Sequence, residues 1–143
     1  MRTRIYNNKE QIFCEWRHRW VRLTPEEWVR QQLLHRLVEQ LHYPASLIAV
    51  EVPLENQQSA ISNHKFHRAD AVVYDLQMQP QILIECKAET VALTQKTLDQ
   101  ALTYNRRLNV PWLILHNGPQ TIVAKVSENA ISYLSEIPSY SDL

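Results

Sequence analysis

The sequence predicts an α/β sandwich with a mixed central sheet flanked by helices, in the order helix, three strands, helix, strand. Three observations lead to it. The stretch TPEE, a helix-start signature, opens a run with apolar residues at helical spacing. Three runs rich in branched residues, LIAVEVPL, RADAVVYDL and QILIECK, then follow one another with no helical pattern between them. A second helical pattern separates them from VPWLILHNG, and a helix between strands is the crossover that a parallel neighbour requires.

Before the core, QIFCEWRHRWVRL mixes aromatic and basic residues and is expected to form a short hairpin or arm within residues 1–23. Thr24 is then the N-cap of the first helix, with Pro25 at its first position and Glu27 three residues after the cap. That helix is expected over 25–42, stopped by Pro44. Strands are expected at 47–54, 68–76 and 81–87, the first two joined by a polar loop over 56–67, and the three forming an antiparallel meander. A second helix over 94–108, a fourth strand over 110–118 ending at Gly118 and a fifth over 121–126 complete a core of 24–126. The tail, 127–143, is polar with scattered Tyr, Ile and Leu, and reads as docked or frayed. The whole chain, 1–143, is expected to be a single domain, a length sufficient to bury a core without disulfides.

Composition removes several classes of function. A single glycine cannot build the Gly-rich loops that cradle the phosphates of ATP or a dinucleotide, so no ATP is expected to be bound by this chain. No apolar stretch is long enough to span a membrane, and the N-terminus lacks the apolar segment of a signal peptide, so a cytoplasmic protein is expected. Cys14 and Cys86 are then read as reduced thiols. Fifteen basic residues balance fifteen acidic ones, which withholds the global positive charge of many nucleic-acid binders while leaving room for local basic flanks.

The segment QILIECKAE carries the candidate chemistry. Strand alternation puts Leu83, Glu85 and Lys87 on one face and Ile82, Ile84 and Cys86 on the other. Pairing Tyr74 with Gln81 would set Val72 against Leu83 and Asp70 against Glu85. Opposed like charges are destabilising, and a divalent cation between them removes the conflict. Hard carboxylate oxygens suit Mg²⁺ or Mn²⁺ rather than zinc. Lys87 can then orient or deprotonate a water, or neutralise an attacked phosphate. A solvent-facing Glu–Lys pair at a strand end is the plain alternative, and the apolar VVY and ILI together with Asp70 weigh against it. On the first helix, Glu27, Arg30 and Gln31 fall on the same stripe as Leu34, Leu37, Val38 and Leu41. Glu27 either closes the capping box or approaches the carboxylates as a further acidic contact, with Glu51 as the competitor for that place. On the second helix Lys96, Gln100, Tyr104 and Arg107 margin the apolar arc, either covering apolar surface or forming a polar seam that holds Lys87 or touches a phosphate.

These residues resemble a PD-(D/E)XK nuclease: Asp70 in RADAVVYD, Glu85 and Lys87 in ILIECKA, and Gln100 and Tyr104 in the Q-x-x-x-Y element QALTY. TPEEWVRQ, YPASLIAVE and the spacing from RAD to ECKA are similar to the N-terminal nuclease domain of type I restriction enzyme R subunits, over about residues 20–125. The resemblance implies a restriction-endonuclease-like αβββαβ core. It implies that Asp70, Glu85 and the main-chain carbonyl of Cys86 bind Mg²⁺, that Glu27 matches a first-helix acid, and that Lys87 assists the attacking water. Ala69 stands where many members have proline. The implied activity is endonucleolytic hydrolysis of DNA in restriction-modification or repair, with a homodimer or a motor or specificity subunit as partner. The alternative is a nucleic-acid-binding or regulatory part of a larger complex that does not cut alone. Expected backbone contacts to DNA are Arg30, Lys96, Arg106 and Arg107 on the helices, His64, Lys65, His67 and Arg68 in the loop, and Arg17, Arg19 and Arg22 in the arm.

Overall fold

The computed structural model describes residues 1–54 and 67–143. Its centre is a six-stranded sheet in the order β4-β5-β6-β7-β8-β9. The strands are β4 (Ile48–Pro53), β5 (Arg68–Tyr74), β6 (Pro80–Cys86), β7 (Trp112–His116), β8 (Thr121–Val126) and β9 (Ile131–Leu134). All neighbours are antiparallel except β6 and β7, which the helix α2 (Gln95–Leu108) joins in parallel. The expected crossover therefore falls at the expected place.

Alternation along the strands sends side chains into two cores. Ile82, Ile84, Cys86 and Ile114 pack with Val29, Leu33, Leu34 and Leu37 of α1 (Pro25–Glu39). Leu83, Val72, Leu113 and Leu115 pack with Leu98 and Ala101 of α2. The two helices thus cover opposite faces, and the apolar run ILI is explained by a strand buried on both sides. The Thr24 side chain accepts the Glu27 amide at 3.0 Å, as the capping signature requires. No helix among the described residues is long and apolar enough to cross a membrane.

Several details differ from expectation. The N-terminal arm is a three-stranded antiparallel sheet, β1 (Thr3–Tyr6), β2 (Lys9–Cys14) and β3 (Arg19–Arg22), rather than a hairpin beginning near residue 11. Helix α1 ends at Glu39, short of residue 42, because the chain turns through His42 at φ 62° and Tyr43 donates its amide back to Leu37 O at 2.9 Å. An irregularity between Val73 and Tyr74 pairs Tyr74 with Pro80 instead of Gln81, while Val72 does oppose Leu83. The tail contributes β9 and is docked: Ile137 is buried, and the Tyr43 hydroxyl donates to Pro138 O at 2.9 Å. The expected strand at 81–87 ends at Cys86, so Lys87 lies one residue past it, with its amide donated to His116 O.

Candidate active site

The regular pairing of β5 with β6 runs to Ala71 and Ile84, one step short of Asp70 and Glu85. There the strands part, and the Cys86 amide donates to Asp70 Oδ2 at 2.7 Å. This bond fixes the aspartate across from the end of β6. Since Val72 opposes Leu83 on the α2 side, alternation carries Asp70 and Glu85 to that same side.

Two different environments meet at Asp70. Toward α1, Arg30 Nη1 donates to Asp70 Oδ1 at 3.3 Å and to Glu51 Oε1 at 2.7 Å, while its Nη2 and Nε donate to Glu27 at 2.5 and 3.0 Å. Arg17 Nη2 adds a second cation on Glu27 at 2.6 Å, and Gln31 Nε2 donates to its other oxygen at 3.1 Å. Burial opposes the charge on Glu27, but the hydrogen bonds from Arg30 and Arg17 outweigh it and hold the carboxyl below its usual range. Glu51 reaches Arg30 from a left-handed backbone, φ 58°, a conformation costly for a residue with a β-carbon.

Toward α2 the balance is reversed. Burial pushes the Glu85 carboxyl well up, the nearby Asp70 carboxyl pushes it further, and the attraction of Lys87 does not compensate. Asp70 is raised as well, mainly by burial, despite the Cys86 amide and Arg30. Glu85, Lys87, Gln100 and Tyr104 line one small polar pocket of about 180 Å³ with His67 and Thr97. A larger cavity of about 450 Å³, around Trp16 and His35, contains none of the expected site residues.

The structure therefore brings together Asp70, Glu85, Cys86 and Lys87, with Gln100 and Tyr104 on the opposite wall. Two expectations need correction. Glu27 does not stand open as a ligand, because both of its oxygens are taken by Arg17, Arg30 and Gln31. Arg30 is 5% exposed and committed to three carboxylates, so it is a buried counter-ion and not a DNA contact. Arg68 is exposed and donates to Glu51 O, Lys96 is exposed in the first turn of α2, and Arg106 and Arg107 are exposed in its last turn. His64 and Lys65 lie outside the described residues.

Sequence reasoning missed His67 as part of the pocket. Its ring stacks on Tyr104 with centroids 3.6 Å apart, and Nε2 sits 3.3 Å from Glu85 Oε1. No spacing rule links a residue before β5 to a helix tyrosine thirty-odd positions on. It also missed Arg17 as a partner of Glu27, because its place in the β2–β3 turn puts it there only once the three-stranded sheet is formed.

Among the described residues no three His, Cys, Asp or Glu side chains are grouped as a ready cage for a metal. The donor set at the fork nevertheless suits a hard divalent cation. Asp70 and Glu85 offer carboxylate oxygens, and burial pushes both carboxyls up.

Comparison with known proteins agrees with this frame. The family described as type I restriction enzyme R protein N terminus (HSDR_N) matches residues 25–138. A solved fragment described as a putative HsdR subunit of a type I restriction enzyme from Vibrio vulnificus YJ016 shares the fold, with a TM-score of 0.57 and 17% identity. The match covers 80% of this chain and 23% of that one. No curated protein matches.

Proposed function

This chain belongs to the family of type I restriction enzyme R protein N termini, and from that premise we propose that it hydrolyses DNA phosphodiester bonds at the Asp70–Glu85 fork with Mg²⁺, for which Mn²⁺ substitutes. Membership of the family implies a nuclease-like role in restriction; the metal, the residues and the PD-(D/E)XK mechanism are our reading. The observation that carries it is the placing of two carboxyls, the part-buried Asp70 held by the Cys86 amide and the buried Glu85, where the strands part beside a pocket lined by Glu85, Lys87, Gln100 and Tyr104.

Asp70, Glu85 and the Cys86 carbonyl would hold the cation. When bound, it supplies the positive charge that favours deprotonation of a water and neutralises the attacked phosphate. Asp70 is held for this task by the Cys86 amide and Arg30, so its oxygens do not have to be ordered at the moment of reaction. Lys87 orients the water and donates to the phosphate. Gln100 and Tyr104, one helical turn apart, hold the phosphate and Lys87 in place, and the His67 ring fixes the tyrosine. Water attacks phosphorus, the bond to the 3′ oxygen breaks, and 5′-phosphate and 3′-hydroxyl ends result.

The test is nicking of supercoiled DNA by the purified chain with Mg²⁺ or Mn²⁺, beside Asp70→Asn and Lys87→Ala. Cleavage that both variants lose and EDTA abolishes is the expected result; activity that survives either substitution overturns the site. A second reading, a part that binds DNA within a larger complex and cuts only there, draws on the chain's spanning 23% of the related structure. Metal-dependent DNA binding without nicking would favour it.

A further inference from the structure

The three-stranded sheet at the N-terminus is not used by the site just described, and its two faces differ. Cross-strand partners point to one side of a sheet, so the pairs Arg4–Gln11, Tyr6–Lys9, Gln11–Arg22 and Phe13–Trp20 share a face. The opposite face carries Ile12 and Cys14, both fully buried. The face opposite those buried residues is thus occupied by Arg4, Lys9 and Arg22, with Arg2 beside them, and no acidic residue takes a position on it within the three strands.

Two arginines of this face, Arg2 and Arg4, are held in place. Arg2 lies over the Phe13 ring at 4.1 Å, and Arg4 lies over Trp20 at 4.3 Å and Tyr6 at 4.8 Å while donating to Gln11 Oε1 at 2.7 Å. Phe13 and Trp20 meet edge to face at 5.5 Å and support both. A guanidinium stacked on a ring keeps its in-plane N–H groups free to meet phosphate oxygens, and its rotamer entropy is already spent. The Phe13 and Trp20 rings are thus partnered by guanidinium groups on this face.

Charge is also segregated along the chain. Residues 1–22 hold six Lys and Arg against two Glu, a surplus of four, and a chain of zero net charge must carry the opposite surplus over the rest. Arg17, in the β2–β3 turn of the same sheet, is tied by Glu27 and Arg30 to Asp70. One run of ion pairs thus ties the β2–β3 turn of this sheet to the fork.

We propose that this outer face, with Arg2, Arg4, Lys9 and Arg22, is a backbone-binding platform for duplex DNA that holds the substrate for the Asp70–Glu85 pocket; the assignment rests on the DNA reading above. It acts through phosphates, so its affinity is independent of sequence and falls with salt.

The test is binding of the full chain to a fluorescent duplex, followed by polarisation over a range of salt concentrations. Arg2→Ala/Arg4→Ala/Arg22→Ala is expected to weaken binding at low salt at least about tenfold and to flatten the slope of log K against log salt by roughly 2.7, about 0.9 for each phosphate no longer neutralised. Arg22→Glu alone, outside the ring stacks, is expected to change binding in the same direction, which guards against misfolding of the triple variant. Arg19→Ala, on the other face, is expected to bind within about twofold of the parent, a small change beside the removal of a phosphate-neutralising cation. The proposal is overturned if the triple variant and Arg22→Glu bind like the parent, if Arg19→Ala weakens binding as much, or if the parent binds RNA but not duplex DNA. Cleavage by the parent with unimpaired binding by the triple variant would remove the platform and leave the active site standing. Binding that depends on the platform, with no cleavage by the parent, would do the reverse.

Discussion

On the α1 side of Asp70, Arg17 and Arg30 meet Glu27, Glu51 and Asp70 itself, and each buried charge has an opposite within 3.3 Å. On the α2 side, Glu85 faces a second carboxyl with Lys87 and His67 nearby, and its ionisation is resisted. The first arrangement suits structure: a buried charge that is paired and hydrogen-bonded stays in place. The second suits chemistry, because Lys87 alone does not offset the carboxyls and a cation would supply the positive charge that is missing. Substitutions should therefore divide cleanly, with activity lost on the α2 side and stability lost on the α1 side.

The largest effect is expected at Lys87. Lys87→Ala should lower the nicking rate about 10²–10⁴-fold, the usual contribution of a positioned proton-transfer group, and leave the melting temperature nearly unchanged. A large fall in melting temperature would mean that the two sides are not separate. Next is Arg30→Met, which leaves Glu27 with one cation and strips Glu51 of its partner. A loss of about 3–5 kcal/mol in urea unfolding is expected, as for other buried pairs broken from one side.

The sequence displays these two sides unequally. The α2 side was legible: Asp70 and Glu85 sit on apolar strands whose alternation can be read, Lys87 follows directly on the second of them, and Gln100 and Tyr104 are four apart on a helix. The α1 side was visible only as polar residues on an apolar stripe, which reveals that Glu27 and Arg30 are buried but not whom they meet. Their partners, Arg17 and Glu51, come from a turn and from a strand residue at positive φ, features with no periodic signal. The same limit explains the fold. Strands β4 to β8 are apolar enough to be found, whereas β1 is wholly exposed and β9 nearly so, and an exposed edge strand need not show an apolar alternation. The pairing of β5 with β6 was legible at Val72 and Leu83, failed at the irregularity beside Tyr74, and stops one step short of the expected Asp70–Glu85 pair.

A smaller effect should separate the two sides by pH. Asp70 and Glu85 hold protons more tightly folded than unfolded, so their contribution to stability is complete below the ordinary carboxylate range, about 4, and is lost as pH rises through their raised values. Glu27 is lowered, so its contribution is present above that range and is lost as pH falls through its folded value. Denaturant midpoints measured in EDTA should thus decline toward alkaline pH, and Glu85→Gln should remove the part of that decline that continues above about pH 6, where Asp70 has titrated, without altering the acid limb. The smallest effect is expected from Glu85→Gln at a single neutral pH: a gain of about 0.5–2 kcal/mol without metal, in exchange for activity. A decline above about pH 6 that persists in Glu85→Gln would place its origin elsewhere.

The most direct test of the central claim is binding of Mn²⁺ to the chain, followed by calorimetry and by the electron-spin signal of the free ion, with duplex DNA present and absent. Saturable binding at the fork, lost in both Asp70→Asn and Glu85→Gln and retained in Lys87→Ala, is expected. Binding that survives both carboxylate substitutions, or no binding even with DNA, would contradict the assignment of Asp70 and Glu85 as the metal site.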